Sequence, residues 1–307
     1  MARLFSRKTL HVKAVDGVDF EIRKGEVLGL VGESGSGKTT VGRVILRLIE
    51  PTEGKVLFDN VDTFGLEGRE LRHLRKRMQM IFQDPNASLN PRMKVGDAVA
   101  NALDIHGMTS RSNRRRRVLE MLERVGLQPA KTFYSRYPRH LSGGQKQRVV
   151  IARALVLNPE FVVADEPVAM VDVSVRAYIM DLMLRLGREM DLTYLLITHD
   201  LAVAKYLCDR IAVMYLGKIV EVGTRTEIFR NPQHPYTQAL LSAIPIPDPK
   251  SRAERQVLRG EIPSPVEPPS GCRFHPRCPY AFDRCPEEEP GFTDLGEGHV
   301  AACHLLD

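Results

Sequence analysis

The sequence predicts an α/β fold with a phosphate-binding core, a helical insertion and a small C-terminal extension that carries cysteines. Short apolar strands alternate with amphipathic helices, and a glycine-rich loop joins one of these strands to the next helix. Such alternation favours a parallel sheet covered by helices. Because the composition changes near residues 86 and 231, we expect the core in 1–85 and 159–230, the insertion in 86–158 and the extension in 231–307.

Bulk composition excludes several classes of protein. The chain has 307 residues, of which 43% are hydrophobic and 27% charged, as in folded domains with a sizeable core. No apolar run approaches the roughly 18 residues of a membrane span. Residues 1–7 lack a signal-peptide core, so we expect a cytosolic protein unless a partner holds it at a membrane. The net charge of +6 permits a nucleic-acid or acidic-membrane partner without arguing for one.

The first element with a chemical signature is the loop from Gly32 to Thr39. It matches the pattern G-x-x-x-x-G-K-[ST] and lies between an apolar strand at 27–31 and a helix at 41–49. Its glycines let backbone amides surround phosphate oxygens, and the helix start adds a favourable dipole. We expect Lys38 to reach the outer phosphates and Thr39 to bind magnesium through its hydroxyl. The expected nucleotide-binding set is Gly32, Glu33, Ser34, Gly35, Ser36, Gly37, Lys38, Thr39 and Thr40.

Apolar patterning predicts the remaining elements of the core. Alternating apolar residues in 12–22 predict short strands, and an apolar patch at 56–58 follows a turn. Longer runs predict buried strands at 160–164 and 194–198, an amphipathic helix at 175–186, and a hairpin of 211–215 with 218–222.

Polar side chains end three of these strands. Asp165 and Glu166 close one strand, His199 follows another, and Gln83 ends a third at 80–83. Parallel sheets place ligand groups at the carboxyl ends of their strands. In a phosphate-loop fold the aspartate belongs to the magnesium shell, and Glu166 beside it is placed to orient or deprotonate water. Each residue alone is often structural, but together with the phosphate loop they predict a hydrolytic site.

A second helix start also suits phosphate. Ser142 is a good N-cap, and it precedes two glycines with exposed amides and a helix at 146–157. One nucleotide cannot use both helix starts from a single subunit. The pattern therefore indicates a composite site between two subunits, and an ordinary capped helix is the alternative.

In this order the motifs resemble those of the nucleotide-binding subunit of ATP-binding cassette (ABC) transporters, over residues 10–230. The resemblance implies a head-to-tail dimer, with ATP between the phosphate loop of one subunit and the 142–145 segment of the other. It further implies that Glu166 is the catalytic base, that His199 contacts the γ-phosphate and that Gln83 links magnesium to membrane subunits. The implied catalytic set is Glu166, His199, Gln83 and Lys38, the magnesium set is Thr39, Gln83 and Asp165, and the nucleotide-binding set gains Gln83, Asp165, Ser142, Gly143, Gly144 and Gln145.

The C-terminal extension narrows the resemblance. Residues 231–241, 260–265 and 271–278 are similar to segments of oligopeptide and dipeptide importer ATPases, although nickel and oligosaccharide importers share much of this tail. The resemblance implies permease subunits, a second ATPase subunit of the same or a paralogous kind, an extracytoplasmic substrate-binding protein, and a place at the cytoplasmic face of a prokaryotic membrane. A soluble cassette ATPase of DNA repair or translation would leave this tail unexplained, so we expect no nucleic-acid partner.

Four of the five cysteines lie in the extension. Cys272, Cys278, Cys285 and Cys303 are separated by five, six and seventeen residues, which is wider than the spacing of paired zinc knuckles. Four thiolates also suit an iron–sulfur cluster, and the family resemblance implies a [4Fe-4S] cluster, with zinc and free thiols as alternatives. A redox sensor built on these cysteines would leave the ATPase motifs idle. We expect Cys208 to pack in the core.

Three further features bear on the resemblance. The arginine run at 111–117 is either a nucleic-acid or lipid patch or a solvated helix face, and we favour the latter. Residues 168–171 read Val-Ala-Met-Val where the family usually has Thr-Ser-Ala-Leu, although Asp172 is kept. The family usually has an aromatic residue that stacks on adenine before this chain's Val12 segment. Phe5 and His11 are the candidates here, and a start further upstream is the alternative.

Overall fold

The structure, a computed structural model, describes residues 11–108, 110–243 and 260–307. Its described residues divide into two compact units. The larger unit contains Glu21–Leu30 and Thr39–Arg210, and the smaller contains residues 11–20, Val31–Lys38 and the described residues from Ile211 onwards. The predicted α/β class is confirmed, while the predicted domain bounds stay a prediction.

The strands in the described part of the chain have two to seven residues each. They are β1 (Val27–Val31), β2 (Leu57–Phe58), β3 (Val61–Asp62), β4 (Met78–Ile81), β5 (Phe161–Asp165), β6 (Thr193–Thr198), β7 (Arg210–Tyr215), β8 (Lys218–Thr224), β9 (Thr293–Asp294) and β10 (Val300–Ala301).

In the described residues between 85 and 155, five α-helices follow one another with no strand between them, and the other helices are interspersed with the strands. They are α1 (Lys38–Ile45), α2 (Gly68–Arg77), α3 (Pro85–Ser88), α4 (Val95–Ile105), α5 (Arg111–Arg124), α6 (Ala130–Ser135), α7 (Gly143–Leu155), α8 (Val173–Met190), α9 (Leu201–Leu207), α10 (Arg225–Arg230) and α11 (Pro235–Ser242). Among the residues that the structure describes, no helix has both the length and the apolar character needed to cross a membrane.

The core of the larger unit is a parallel sheet. Strand β5 pairs in parallel with β4 on one side and with β6 on the other, in the order β4-β5-β6-β1. Every residue of β5 and β6 is buried. Helix α1 packs closely on this sheet because Gly42 has no side chain: a Cβ there would lie 2.8 Å from Val163 and from Ile197. Because β4, β5 and β6 are parallel neighbours, their carboxyl ends lie together at one edge of the sheet.

The smaller unit holds an antiparallel arrangement. Strands β7 and β8 form the predicted hairpin around Leu216 and Gly217, whose φ angles of 41° and 81° are those of a tight hairpin turn. Strand β10 pairs with β8 and with β9. The extension thus adds strands beside the hairpin.

Some element bounds differ from the sequence-based expectation. No strand forms in the described residues 11–26: Lys13 N–H donates to Pro265 O and Asp16 N–H to Gly217 O, single bonds to loops that build no ladder. Helix α1 ends at Ile45, short of residue 49, because Arg47 has a left-handed φ of 50°. Strand β4 ends at Ile81, two residues before Gln83.

Candidate nucleotide-binding and hydrolysis site

The phosphate loop of the smaller unit closes around the Lys38 ammonium group. Lys38 Nζ donates to the carbonyl oxygens of Gly32 at 2.8 Å and Glu33 at 2.7 Å, and to Ser36 Oγ at 3.2 Å. Lys38 is only 6% exposed. These bonds fix a cation inside a loop of backbone amides, which is the arrangement that binds phosphate oxygens.

The glycine at position 37 is required by a close backbone approach. Gly37 has a φ of 106°, and a Cβ there would lie 2.0 Å from the carbonyl oxygen of Ala14. Gly35 also has a positive φ, 81°, with open space around it. The loop therefore depends on glycine for its conformation at both positions.

Glu33 of this loop is held by residues from the C-terminal extension. Its backbone N–H donates to Tyr236 Oη at 2.9 Å, and its carboxylate accepts from both terminal nitrogens of Arg277, at 2.7 and 3.2 Å. The carboxylate raises the pKa of Arg277 through this bonding. The phosphate-loop pattern accepts any residue at position 33, so the motif does not predict these contacts. The only sign of them in the sequence is a charged residue at a position where the pattern does not require one.

An aromatic cluster surrounds these contacts. Tyr215, Tyr236 and Phe274 are fully buried, and their ring centroids lie 4.7 to 5.3 Å apart. Burial raises the pKa of Tyr236, so its phenol stays protonated and neutral. Within the smaller unit, the cluster connects the end of β7 (Tyr215), helix α11 (Tyr236) and the cysteine segment, residues 272–278 (Phe274).

In the larger unit, the side chains of Thr39 and Asp165 form a hydrogen-bonded pair. Thr39 Oγ1 donates to Asp165 Oδ1 at 3.0 Å. Asp165 is the last residue of β5 and only 3% exposed. A hydroxyl and a carboxylate are oxygen donors of the kind that Mg²⁺ prefers, so the chemistry of this pair fits the predicted magnesium site.

Two side chains that follow strands of the larger unit converge on Glu166. Gln83 Nε2 donates to Glu166 Oε2 at 3.0 Å, and His199 Nδ1 lies 2.6 Å from Glu166 Oε1. An ionised carboxylate only accepts, so the ring N–H of His199 donates. The side chain of Glu166 is 14% exposed and that of His199 is 57% exposed. The structure thus brings together residues that lie 83 and 33 positions apart in the sequence.

Each of the three residues is positioned by a helix or strand beside it. Asp84 caps α3 directly after Gln83, and Asp200 caps α9 directly after His199. Glu166 has a left-handed φ of 46°, and its N–H donates to Ile197 O at 2.8 Å. Such a backbone costs about 1–3 kcal/mol and occurs often at functional sites. A carboxylate held between two donors at a sheet edge can orient water and accept its proton.

The second helix start has the predicted cap. Ser142 Oγ accepts from Gln145 N–H at 3.3 Å while the Gln145 side chain accepts from Ser142 N–H at 3.1 Å, a reciprocal capping box. Helix α7 therefore begins at Gly143, three residues before the expected start at 146, because the cap fixes the first turn. Gly144 is needed here because a Cβ would lie 2.7 Å from Val175 Cγ1.

The segment that departs from the family pattern packs with apolar side chains. Val168 and Val171 are each 4% exposed, whereas Met170 is 57% exposed. The backbone of Val171 is held by Arg176, whose Nε donates to its carbonyl at 3.1 Å. Apolar packing thus holds two of the four positions in this segment.

The four cysteines of the extension are not arranged as a metal site. Among the described residues, which include all four, no group of three or more His, Cys, Asp or Glu side chains is placed to hold a metal ion. Their thiol groups nevertheless affect one another electrostatically. Burial raises the pKa of Cys272 to about 11, and the charges of Cys303, Cys285 and Cys278 add to the rise. The donor types fit a metal, but the arrangement gives the cluster no support.

The other cysteines and the described candidate for adenine stacking differ in their burial. Burial also raises the pKa of Cys278 and of Cys303. Cys208 is fully buried at the end of α9, as expected of a core residue. His11 is exposed, and Phe5 lies outside the described residues, so the adenine-stacking position stays a prediction.

Two protein-family profiles match the chain. The profile described as ABC transporter matches residues 15–169, and the profile described as oligopeptide/dipeptide transporter, C-terminal region, matches residues 220–285. The oligopeptide transport ATP-binding protein AppF of Bacillus subtilis is 51% identical over 305 residues, which cover 98% of this chain and 92% of AppF.

Solved ATP-binding cassettes share the fold. One is a dimeric post-hydrolysis state of a cassette bound to ADP and Pi, with a TM-score of 0.62 and 35% identity over 69% of this chain and 90% of its own. Another is CbiO1 from Clostridium perfringens, part of an ABC transporter complex, with a TM-score of 0.64 and 30% identity over 71% of this chain and 84% of its own.

Proposed function

The chain belongs to the ABC transporter family, and we propose that it is the ATP-hydrolysing subunit that powers a peptide importer. The observation that carries the ATPase assignment is the hydrogen-bonded cluster of Glu166 with Gln83 and His199 at the strand ends. The peptide assignment is supported by the match of residues 220–285 to the oligopeptide/dipeptide transporter C-terminal region and by the similarity to AppF.

The phosphate loop is the proposed binding site for the ATP phosphates. Its backbone amides and the Lys38 ammonium offset the negative charge of the β- and γ-phosphates. Thr40 lies in the first turn of α1, so its backbone N–H adds to the donors at the start of this helix. Lys38 is already positioned by three hydrogen bonds, so nucleotide meets a preorganised cation.

Magnesium is the proposed cofactor, and Thr39, Asp165 and Gln83 would hold it. When bound, it neutralises charge on the phosphate oxygens. Asp165 supplies a buried carboxylate for this purpose, and the Thr39 hydroxyl already bonds to it at 3.0 Å.

Glu166 is the proposed general base. Its carboxylate orients the attacking water and accepts the proton on one of its oxygens. The bonds from Gln83 and His199 fix the direction of that carboxylate. Once water or phosphate enters, the exposed His199 imidazole is available to contact the γ-phosphate.

A second copy of the chain, or a paralogue, is proposed to complete each site. Ser142 and Gln145 bond to each other within the cap, which leaves the Gly143 and Gly144 amides at the helix start for phosphate. ATP would then lie between the phosphate loop of one subunit and the 142–145 segment of the other. The dimeric cassette with ADP and Pi among the solved structures supports this arrangement.

The family also supports the proposed partners and location. Permease subunits would hold this subunit at the cytoplasmic face of a prokaryotic membrane, and a substrate-binding protein outside would deliver the peptide. ATP binding would close the dimer and hydrolysis reopen it, and this motion would drive the permeases. A nickel or oligosaccharide importer of the same subfamily is the alternative, and a cassette ATPase of nucleic-acid metabolism is less favoured.

A metal centre at Cys272, Cys278, Cys285 and Cys303 is a second, separate proposal. It is supported by the four thiols, by the electrostatic coupling of Cys272 to the other three and by the family resemblance. A bound metal ion would favour the thiolate forms, which burial disfavours by raising the pKa values of Cys272, Cys278 and Cys303. We favour a [4Fe-4S] cluster over zinc, and free thiols are the remaining outcome.

The proposed function is tested with the complex assembled from this subunit and its permeases in lipid vesicles. We expect ATP hydrolysis that rises when a peptide-loaded binding protein is added, and no hydrolysis with Lys38→Ala. Hydrolysis that responds to nickel or to an oligosaccharide, but not to peptide, would assign the alternative substrate. Hydrolysis stimulated by DNA or RNA alone would reject the importer.

A further inference from the structure

The segment between Cys272 and Cys278 contacts the phosphate loop directly. Arg277 comes from a tight turn at His275–Arg277, and both of its terminal nitrogens donate to the Glu33 carboxylate. The side chain of Arg277 is 7% exposed and that of Glu33 is 26% exposed. A paired, two-bond contact of this kind is directional as well as strong.

Glu33 is fixed at three points, and one of them is Lys38. The backbone N–H bonds to Tyr236, the carboxylate bonds to Arg277, and the carbonyl oxygen accepts from Lys38 Nζ at 2.7 Å. A shift of Glu33 therefore moves a bonding partner of the ammonium group. The chain of contacts runs from the cysteine segment to the phosphate-binding lysine.

The charge of Glu33 gives Arg277 a second role. A carboxylate in a loop that binds a polyanion opposes nucleotide binding, because like charges repel across a few ångströms. Arg277 offsets this charge through its two hydrogen bonds to the Glu33 carboxylate. Without Arg277 the loop would keep an uncompensated negative charge beside the phosphates.

We infer that Arg277 is a positioning residue for ATP: it acts through Glu33 to hold the phosphate loop in its binding conformation, so the C-terminal extension sets nucleotide affinity. The inference rests on the proposed function, since it assumes that this loop binds ATP. It concerns affinity alone, because Glu166 and its partners carry the chemical step.

The test measures the Kd of the full-length chain for ATP by competition against a fluorescent ATP analogue. Arg277→Met should raise the Kd about tenfold, the span expected for losing a hydrogen bond between charged groups. Arg277→Lys keeps the charge but not the paired geometry, so it should raise the Kd about threefold. In the assembled complex, kcat at saturating ATP should stay within about twofold of the wild type while KM rises.

Two variants, the single Glu33→Gln and the double Glu33→Gln with Arg277→Met, test whether Arg277 acts through Glu33 or only through general packing. Glutamine keeps one oxygen that accepts from Arg277, replaces the other oxygen with an amide NH2 and carries no charge, so the single variant should raise the Kd about threefold and is the reference for the double variant. The double variant should bind ATP about threefold more tightly than Arg277→Met alone, since the uncompensated carboxylate is gone. Arg284→Met is the matched control: Arg284 also pairs with two carboxylates of the extension, Glu288 and Asp307, and its loss should leave the Kd unchanged.

Three results would overturn the inference: wild-type affinity in Arg277→Met, a double variant no tighter than Arg277→Met, or an equal loss in Arg284→Met. If Arg277→Met fails to fold by thermal unfolding, Arg277→Lys decides, and an unchanged Kd there overturns the inference. If the wild type binds no ATP, or Lys38→Ala binds as well as the wild type, the proposed function itself fails instead.

Discussion

The proposed hydrolysis centre of the larger unit and the cysteine extension of the smaller unit are positioned by different kinds of structure. Gln83, Glu166 and His199 follow buried strands whose backbone pairing fixes them at one sheet edge. The cysteines instead lie in turns and loops, three of them before and one of them after the two-residue strands β9 and β10. Regular backbone pairing holds a site without help from the site's own side chains, whereas the extension depends on side-chain contacts such as Arg277 with Glu33.

This difference predicts which property each region controls. Substitutions at the strand ends should change the rate of chemistry and leave folding intact, because the sheet fixes the backbone. Substitutions in the extension should change folding of the extension and nucleotide affinity, and should spare the chemical step.

The largest expected effect is on hydrolysis. Glu166→Gln keeps the shape and removes the base, so turnover should fall about 100- to 10,000-fold while ATP still binds. Phosphate release and ATP affinity are measured on the same preparation. Near-normal hydrolysis would contradict the assignment of Glu166 and the role given to the strand ends.

Ser142→Arg should leave ATP binding to the isolated chain intact and lower hydrolysis about 100-fold or more, because the bulky cation blocks the composite site. Mixing this variant with Lys38→Ala subunits should restore at most one working site per dimer. If Ser142→Arg alone abolished binding to a monomer, the site would lie within one subunit.

The adenine-stacking position should have a smaller effect, on binding alone. Stacking of a base on an aromatic side chain contributes about 1–3 kcal/mol. His11→Ala or Phe5→Ala should weaken ATP binding by that amount, whichever residue stacks, as measured by isothermal titration. No change in either variant would favour an upstream aromatic residue or a site without stacking.

The smallest effect on hydrolysis is expected from the cysteines. Cys272→Ser, Cys278→Ser, Cys285→Ser and Cys303→Ser should each remove a brown colour and the iron and sulfide from anaerobically purified protein, while the buried control Cys208→Ser should not. Hydrolysis at saturating ATP should survive better than folding of the extension. Stoichiometric zinc without iron would replace the cluster with a structural zinc site, and no metal at all would leave free thiols.

The contrast also shows what could be predicted from the sequence. The phosphate loop, the Ser142 cap and the strand ends were predictable because local residue patterns and backbone periodicity specify them. The strands predicted within 12–22 do not form, which shows the limit of this reasoning, since alternation predicts an extended chain but not a pairing partner. Contacts of Glu33 with Tyr236 and Arg277 join residues more than 200 positions apart, and no local pattern encodes them.

The most direct test of the central claim measures uptake and hydrolysis together in vesicles that contain the complete transporter. Labelled peptide, nickel and oligosaccharide are offered separately, with ATP inside the compartment that faces this subunit. We expect ATP-dependent accumulation of peptide alone, and loss of both uptake and hydrolysis with Glu166→Gln. Hydrolysis at the wild-type rate without peptide uptake, or uptake that persists in Glu166→Gln, would contradict the claim that this subunit powers peptide import.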